Sequence, residues 1–224
     1  MKRLRLKTLG CIALPACLLL AGCASTVPSK DQYGNYFTPY ENVTRGNTAS
    51  GQPVLYWRAP GIDMKQFNSL IYQPVIYAPR PKPTAQISQS TLDQILAYTN
   101  QQVKAALASH YPLVDKPTGK TLIFRGAISA IDTQKQGLQF YEVLPVTLLI
   151  AGTQAATGHR TLDSAVYLQA EFIDAATHKP VLKVVRKISG NPLRNEQTPL
   201  RLQDMQPALN ALGKDIRAFN GFGQ

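Results

Sequence analysis

The chain has 224 residues, 44% of them hydrophobic and 17% charged, and 24 Lys and Arg against 13 Asp and Glu give it a net charge of +11. That composition excludes a disordered or fibrous polymer and fits one globular domain of ordinary size, or at most two small ones. All three cysteines, Cys11, Cys17 and Cys23, lie within the first 23 residues, so the rest of the chain has no disulfide, thiol nucleophile or thiolate metal site.

The chain opens with Lys2, Arg3, Arg5 and Lys7, followed by an apolar run from Leu9 to Leu20. Such a run is too short to cross a hydrocarbon layer of about 30 Å, which takes about 20 residues, and it reads as the core of an export signal. It ends in Leu20-Ala21-Gly22-Cys23, the pattern of a bacterial lipobox. A thiol is needed at the last position because a nucleophilic sulfur can be alkylated to a stable thioether with a diacylglycerol. Ala21 and Gly22 are small, as a peptidase cutting before the cysteine requires. The expectation is a removed signal over residues 1–22 and a membrane anchor through lipid on Cys23. Ala24, in place of Asp, points to the outer membrane and its periplasmic face.

The first 22 residues hold four of the 24 Lys and Arg and none of the acids, so the remaining 202 stay basic at +7. Anionic headgroups or an acidic protein suit such a surface, and nucleic acid is not expected in an exported compartment. Residues 23–52 are rich in Ser, Thr, Asn, Gly and Gln without apolar period and read as the lipidated cysteine and a tether. Fully extended, such a tether reaches roughly 100 Å, or about 30 Å as a flexible coil. Tyr33, Tyr36, Phe37 and Tyr40 interrupt it. They suit a segment docked on its own domain, with a partner-binding or membrane-contacting segment as the alternatives.

Residues 53–224 read as a single α+β domain. Val54 to Trp57 is strand-like, Ala59-Pro60-Gly61 makes a turn, and Asn68 to Ala78 is a further strand with an edge or bulge at Pro74. Arg80 to Pro83 is an extended connector. Ser90 with Asp93, or else Ser88, caps a helix on which Leu92, Ile95, Leu96, Thr99, Val103, Ala106, Leu107 and His110 share one face. Tyr111-Pro112 ends it. Thr121 to Ile131 alternates as a strand, and so does Leu162 to Asp174. Ala175 to Pro180 is the loop of a hairpin returning through Val181 to Ile188. Leu202, Met205, Leu209, Leu212, Ile216 and Phe219 mark a last helix, with Pro207 starting or kinking it. Gly137 to Gly158 is ambiguous; its apolar stretch Val143 to Ala151 reads as a buried connection or as a face for membrane or partner. This order predicts a mixed or antiparallel sheet of four to five strands with two amphipathic helices on one face.

Chemistry-bearing motifs are absent. There is no G-x-S-x-G, S-x-x-K, HExxH or phosphate-binding glycine loop, and His110, His159 and His178 have no metal-ligand spacing. Asp115, Asp132, Glu142, Asp163, Glu171 and Asp174 are scattered and select no catalytic pair. No cofactor, metal or catalytic residue is expected. Lys179, Lys183, Arg186, Lys187 and Arg194 gather along the second hairpin strand and its exit, read as a solvated edge strand. Lys179, Lys183, Lys187 and Arg194 are the candidate contacts to an anionic surface, with Lys183 and Lys187 on its solvated face and Leu182, Val184 and Ile188 on the buried one.

Several stretches then resemble a known family. They are Phe37-x-x-Tyr40-x-x-Val43, Tyr56-x-x-Ala59-Pro60-Gly61-x-Asp63, Pro74-Val75, Tyr111-Pro-Leu-Val114-Asp115, Leu144-Pro145-Val146 on to Thr157-Gly158, and the Asp174 to Pro180 hairpin. In order and spacing they are similar to bacterial lipoproteins grouped only as a domain of unknown function. The Phe37 to Val43 stretch departs most, lacking the family's usual leucine. The resemblance spans nearly all of the chain after the signal and implies one domain in the cell envelope, with no catalytic residues to carry over. The favoured reading is a non-enzymatic envelope protein that binds another envelope component, most simply a protein. The alternatives are a lipid- or glycan-binding module and, behind it, a hydrolase. Composition and pattern leave the oligomeric state open.

Overall fold

The computed structural model describes residues 36, 42–129, 151–153, 161–194 and 197–220. The signal, Cys23, His159 and all but the last residue of Val143 to Ala151 lie outside them. In chain order the elements are β1 (Thr44–Asn47), β2 (Pro53–Arg58), a 3-10 turn (Met64–Gln66), β3 (Ser69–Tyr72), β4 (Ile76–Tyr77), α1 (Gln89–Ala108) and β5 (Thr121–Ser129). They continue with β6 (Ala151–Thr153), β7 (Thr161–Asp163), β8 (Ala165–Asp174), β9 (Pro180–Ser189) and α2 (Leu202–Arg217).

The alternation of β5, β8 and β9 decides the architecture. Phe124 lies opposite Phe172 and Ile128 opposite Leu168, while Phe172 pairs with Leu182 and Val166 with Ile188. Residues directly opposite one another point to the same side of a sheet. These side chains therefore form one apolar face, which shares a core with Leu92, Ile95, Val103 and Leu107 of α1 and Met205, Leu209 and Leu212 of α2. Fully burying each such side chain is worth about 1.5–3 kcal/mol. Both helices pack on that face, in an α+β layering.

Among the described residues the main sheet has seven strands rather than four to five, in the order β1-β2-β9-β8-β5-β3, with β4 also pairing β5; β6 and β7 form a separate two-stranded sheet. β3 and β4 run parallel to β5 and the other pairs are antiparallel. The extra strands come from two places. The run expected from Asn68 to Ala78 is cut at Pro74 into β3 and β4, both on the same edge of β5. Asn100 of α1 fills the cut: its Oδ1 accepts from Val75 N–H at 2.8 Å and its amide donates to Val75 O at 2.9 Å. β1 arises from residues expected to be tether. Its sequence, Thr-Arg-Gly-Asn, carries no apolar residue and is mostly exposed, as suits a strand that, among the described residues, is outermost and pairs with β2 alone. Gly46 permits that pairing, since a Cβ there would meet Tyr56 Cε1 at 2.7 Å.

Ser88, the alternative cap, starts α1: its Oγ accepts from Thr91 N–H at 3.0 Å. Pro207 lies inside α2, whose start is tied by Arg201 N–H donating to Asp204 Oδ2 at 2.9 Å. The β8–β9 turn places His178 at a φ of 55°, an exposed turn residue, with Asp174 Oδ1 accepting from Ala176 N–H.

β9 is not an edge strand. It runs between β2 and β8, so both of its edges are paired. Lys183 is buried, at 6% exposure, and is not a solvated contact residue. Its neighbour across the hairpin is Glu171.

Candidate functional site

Two side-chain clusters on opposite faces of the sheet carry charge into the interior. On the face away from the helices Glu171 is wholly buried. Its Oε2 accepts from Arg125 Nε at 2.8 Å and lies 2.5 Å from Arg125 Nη2, while Lys183 Nζ stands 4.0 Å from Oε1. Lys183 Nζ also sits 5.3 Å from the centre of the Trp57 ring, a cation–π arrangement that covers the ammonium. This cluster is paired charge on three adjacent strands and reads as structure. Counting register from the hairpin loop would have missed it, because Ile173 pairs with Pro180 and an irregularity between Phe172 and Ile173 shifts the pairing by one residue before Glu171 meets Lys183.

The second cluster borders open space. Between the helix-facing side of the sheet and the C-terminal ends of α1 and α2 lies a cleft of about 450 Å³. Phe124, Leu168, Phe172, Leu182 and Val184 form its floor; Leu107, Leu212, Ile216 and Phe219 form its helical wall. Thr48 and Ala49 of the β1–β2 turn and Asp63 to Lys65 rim it. Its aromatic floor is fixed: Phe124 stacks on Tyr72 with ring centres 5.3 Å apart and takes the edge of Phe172 at 5.3 Å. The volume falls within the roughly 300–1,000 Å³ typical of ligand sites, and the largely apolar wall with few polar groups matches their usual composition.

The polar groups are Arg186 and Asp215. Alternation turns Arg186 to the helix side with Leu182, Val184 and Ile188, and it is 7% exposed. Asp215, one turn from Leu212 and 4% exposed, meets it with Oδ2 2.5 Å from Arg186 Nη2. Asp215 Oδ1 accepts from Ser50 N–H at 3.1 Å, which ties the β1–β2 turn to α2. Arg186 Nε is buried and has no hydrogen-bond partner among the described residues. Arg186 also lines a second, more polar cavity of about 400 Å³ beneath Ala208 and Ala211, so the ion pair stands beside both spaces. The sequence places Arg186 only within a basic run expected to be solvated, which its burial corrects, and does not single out Asp215; an arginine among the inward residues Leu182, Val184 and Ile188 was a visible signal.

His110, on the cleft's border, is exposed, and its Nε2 donates to Ile216 O at 2.6 Å, joining the ends of the two helices. Tyr111 lines the same cleft and donates to Met64 O; burial, with Asp63 nearby, raises the pKa of its phenol. A histidine and a carboxylate thus border one space, but each is held by another partner. Of the expected surface cations, Lys179 and Arg194 are exposed and Lys187 half-buried. Lys179 and Lys187 are eight strand residues apart, about 26 Å, so the fold does not gather them into one patch.

Residues 32–216 match a protein-family model described as "Protein of unknown function (DUF3313)". The chain belongs to this family. Over 208 residues it is 45% identical to the "Uncharacterized lipoprotein YdcL" of Escherichia coli (strain K12), covering 93% of this chain and 94% of that one. The protein of the same name in Escherichia coli O157:H7 matches to the same extent. Among solved structures, the PelC dodecamer of Paraburkholderia phytofirmans aligns with 75% of this chain and 98% of that chain, at 9% identity and a TM-score of 0.36. A likeness of that size carries nothing further.

Proposed function

We propose that this chain is a lipid-anchored cell-envelope lipoprotein, held by acylated Cys23 at the periplasmic face of the outer membrane, whose domain is a non-enzymatic module that binds the apolar part of a lipid. The lipobox at Leu20 to Cys23 supports the anchor, as does the name of the E. coli relative. The cleft of about 450 Å³ carries the ligand reading: a largely apolar space of ligand size is more use to an acyl chain than to a protein surface. Among the described residues, the only large hydrophobic side chains left exposed are Tyr36 and Ile76. That is far short of the contiguous patch of several hundred Å² that marks a docking face. The cleft therefore favours the lipid reading over the protein-partner one. Lys179, Lys187 and Arg194 then act as diffuse attraction toward anionic headgroups rather than as a site.

A photocrosslinking amino acid placed at Val184, on the cleft floor, tests this in intact cells. Mass spectrometry of the peptide containing residue 184 should find a lipid adduct, whereas the same probe at exposed Thr177 should give none. Protein adducts at Val184 in place of lipid would overturn the reading. The anchor is tested separately: Cys23→Ser should abolish incorporation of labelled fatty acid, and label retained on that variant would sink it.

A further inference from the structure

We propose that the cleft takes a lipid whose head is anionic, a carboxylate or a phosphate, and that Arg58 and Lys65 at its mouth receive that head. This rests on the lipid-binding reading and adds the charge of the headgroup. Arg58 ends β2 opposite Leu182 of the cleft floor, so its side chain leaves the sheet on the cleft side. Lys65 follows Met64, which packs against Val54 and Leu182. Both cations line the cleft and both are exposed, so a head at the mouth meets them while its chain lies along Phe172, Leu182 and Val184. The ion pairs among the described residues are those of Glu171 and Asp215, and Lys65 is in none of them.

The fixed charges around the mouth decide the sign of the head. Two helix C-termini end there, and their last carbonyls would favour a cation. Those carbonyls are already taken: Leu107 O accepts from His110 N–H and Tyr111 N–H at 3.0 Å, and Ile216 O accepts from His110 Nε2. Asp215 is paired with Arg186, and Asp63 Oδ1 caps the 3-10 turn by accepting from Lys65 N–H at 2.9 Å. Among the described lining residues, Arg58 and Lys65 thus stand against Asp63 alone, two cations to one exposed carboxylate. An anionic head uses that excess, a neutral head does not, and a cationic head adds to it.

The test uses the whole mature chain, residues 23–224, made without lipid through Cys23→Ser, and four probes of equal chain length: laurate, dodecyl phosphate, methyl laurate and dodecyltrimethylammonium. Each competes with the fluorescent apolar dye N-phenyl-1-naphthylamine at pH 8 and low salt. At least one anion should bind roughly three- to thirtyfold more tightly than methyl laurate, the range two exposed charge contacts allow. Which anion binds tighter separates a fatty-acid head from a phospholipid one. The ammonium probe should bind no more tightly than the ester, and about 0.5 M salt should shrink the anion preference. Arg58→Gln with Lys65→Gln should leave methyl laurate binding as before and bring the preference below about twofold. Arg80→Gln with Lys82→Gln removes the same charge from exposed residues ahead of α1, at the far end of that helix from the cleft, and should keep the preference. Should the Arg58 variant unfold, Lys65→Glu decides, because it turns the excess into a deficit; the ester should then bind at least as tightly as either anion. Equal binding of anions and ester, a tighter ammonium probe, a preference that survives the cleft substitutions, or one lost equally with Arg80 and Lys82 each overturns the headgroup assignment and leaves the cleft reading standing. Failure of the dye and of all four probes to bind overturns both.

Discussion

Glu171 and Lys183 face each other on neighbouring strands with their charges 4.0 Å apart, the carboxylate wholly buried and also bonded to Arg125. Removing one partner of a buried charge cluster leaves an uncompensated charge, at about 3–5 kcal/mol. Lys183→Glu should reach at least that range by placing two carboxylates together in the interior. Lys187→Glu, on a half-buried side chain of the same strand, should cost well under half as much. Urea midpoints of the two single variants decide it; equal losses would mean that burial of Lys183 is not what holds this region together.

Arg186 and Asp215 answer differently to single and paired replacement. Asp215→Ala strands a buried guanidinium and deprives Ser50 N–H of its acceptor, so a loss of about 3–5 kcal/mol is expected. Arg186→Met combined with Asp215→Leu removes both charges and should lie within about 1 kcal/mol of the parent or above it. Chemical denaturation of the three proteins checks this. A double variant as unstable as Asp215→Ala would show that the bond to the β1–β2 turn outweighs the ion pair.

The two helices supply a graded test of packing. Leu209 is fully buried and does not border the cleft, whereas Leu107 and Leu212 are buried on one side and form its wall on the other. A Leu→Ala change costs about 2–5 kcal/mol, with the larger values where the most close contact is lost. Leu209→Ala should therefore fall near the top of that range and Leu107→Ala and Leu212→Ala near the bottom. The reverse order, read from denaturant midpoints, would place the open space elsewhere.

What sequence revealed of this fold follows from where burial imposes a period. The helices and the long strands β5, β8 and β9 bury a continuous face, so Leu92 to Leu107, Leu122 to Ile128 and Leu202 to Ile216 repeat legibly. β1 was not legible because an outermost polar strand needs no apolar residue, and its Thr-Arg-Gly-Asn looks like linker. The rank of β9 within the sheet was not legible either. Lys183 and Lys187 alternate as they would on a solvated edge, and nothing within the run shows that β2 and β8 pair both of its edges. The cleft depends on three-dimensional spacing between helix ends and sheet, which no period encodes. Its polar feature did leave a mark: Arg186 interrupts an inward run of aliphatic residues, and Asp215 sits three residues from Leu212 on α2.

Alkaline pH should loosen the edge of the sheet through its tyrosines. Burial pushes the Tyr72 phenol up from 10.0 to about 12, opposed in part by a hydrogen bond with the backbone at Val75, and burial with Asp93 nearby raises Tyr77 as well. Tyr72 donates to Asn100 Oδ1 at 2.7 Å and Tyr77 to Leu92 O at 2.8 Å, bonds that both require the protonated phenol. Between pH 10 and the raised values the folded protein keeps protons that the unfolded chain has lost. Stability must then fall as pH rises, being fully present below pH 10 and lost as pH passes through about 12. Tyr77→Phe removes one titrating group and one hydrogen bond, so it should be less stable than the parent at pH 8 by about 0.5–1.5 kcal/mol. It should also decline less steeply above pH 10, so that the two stability curves converge. Urea midpoints at pH 8, 10, 11 and 12 measure both. Parallel curves would mean that the Tyr77 hydroxyl titrates alike in the folded and unfolded chains.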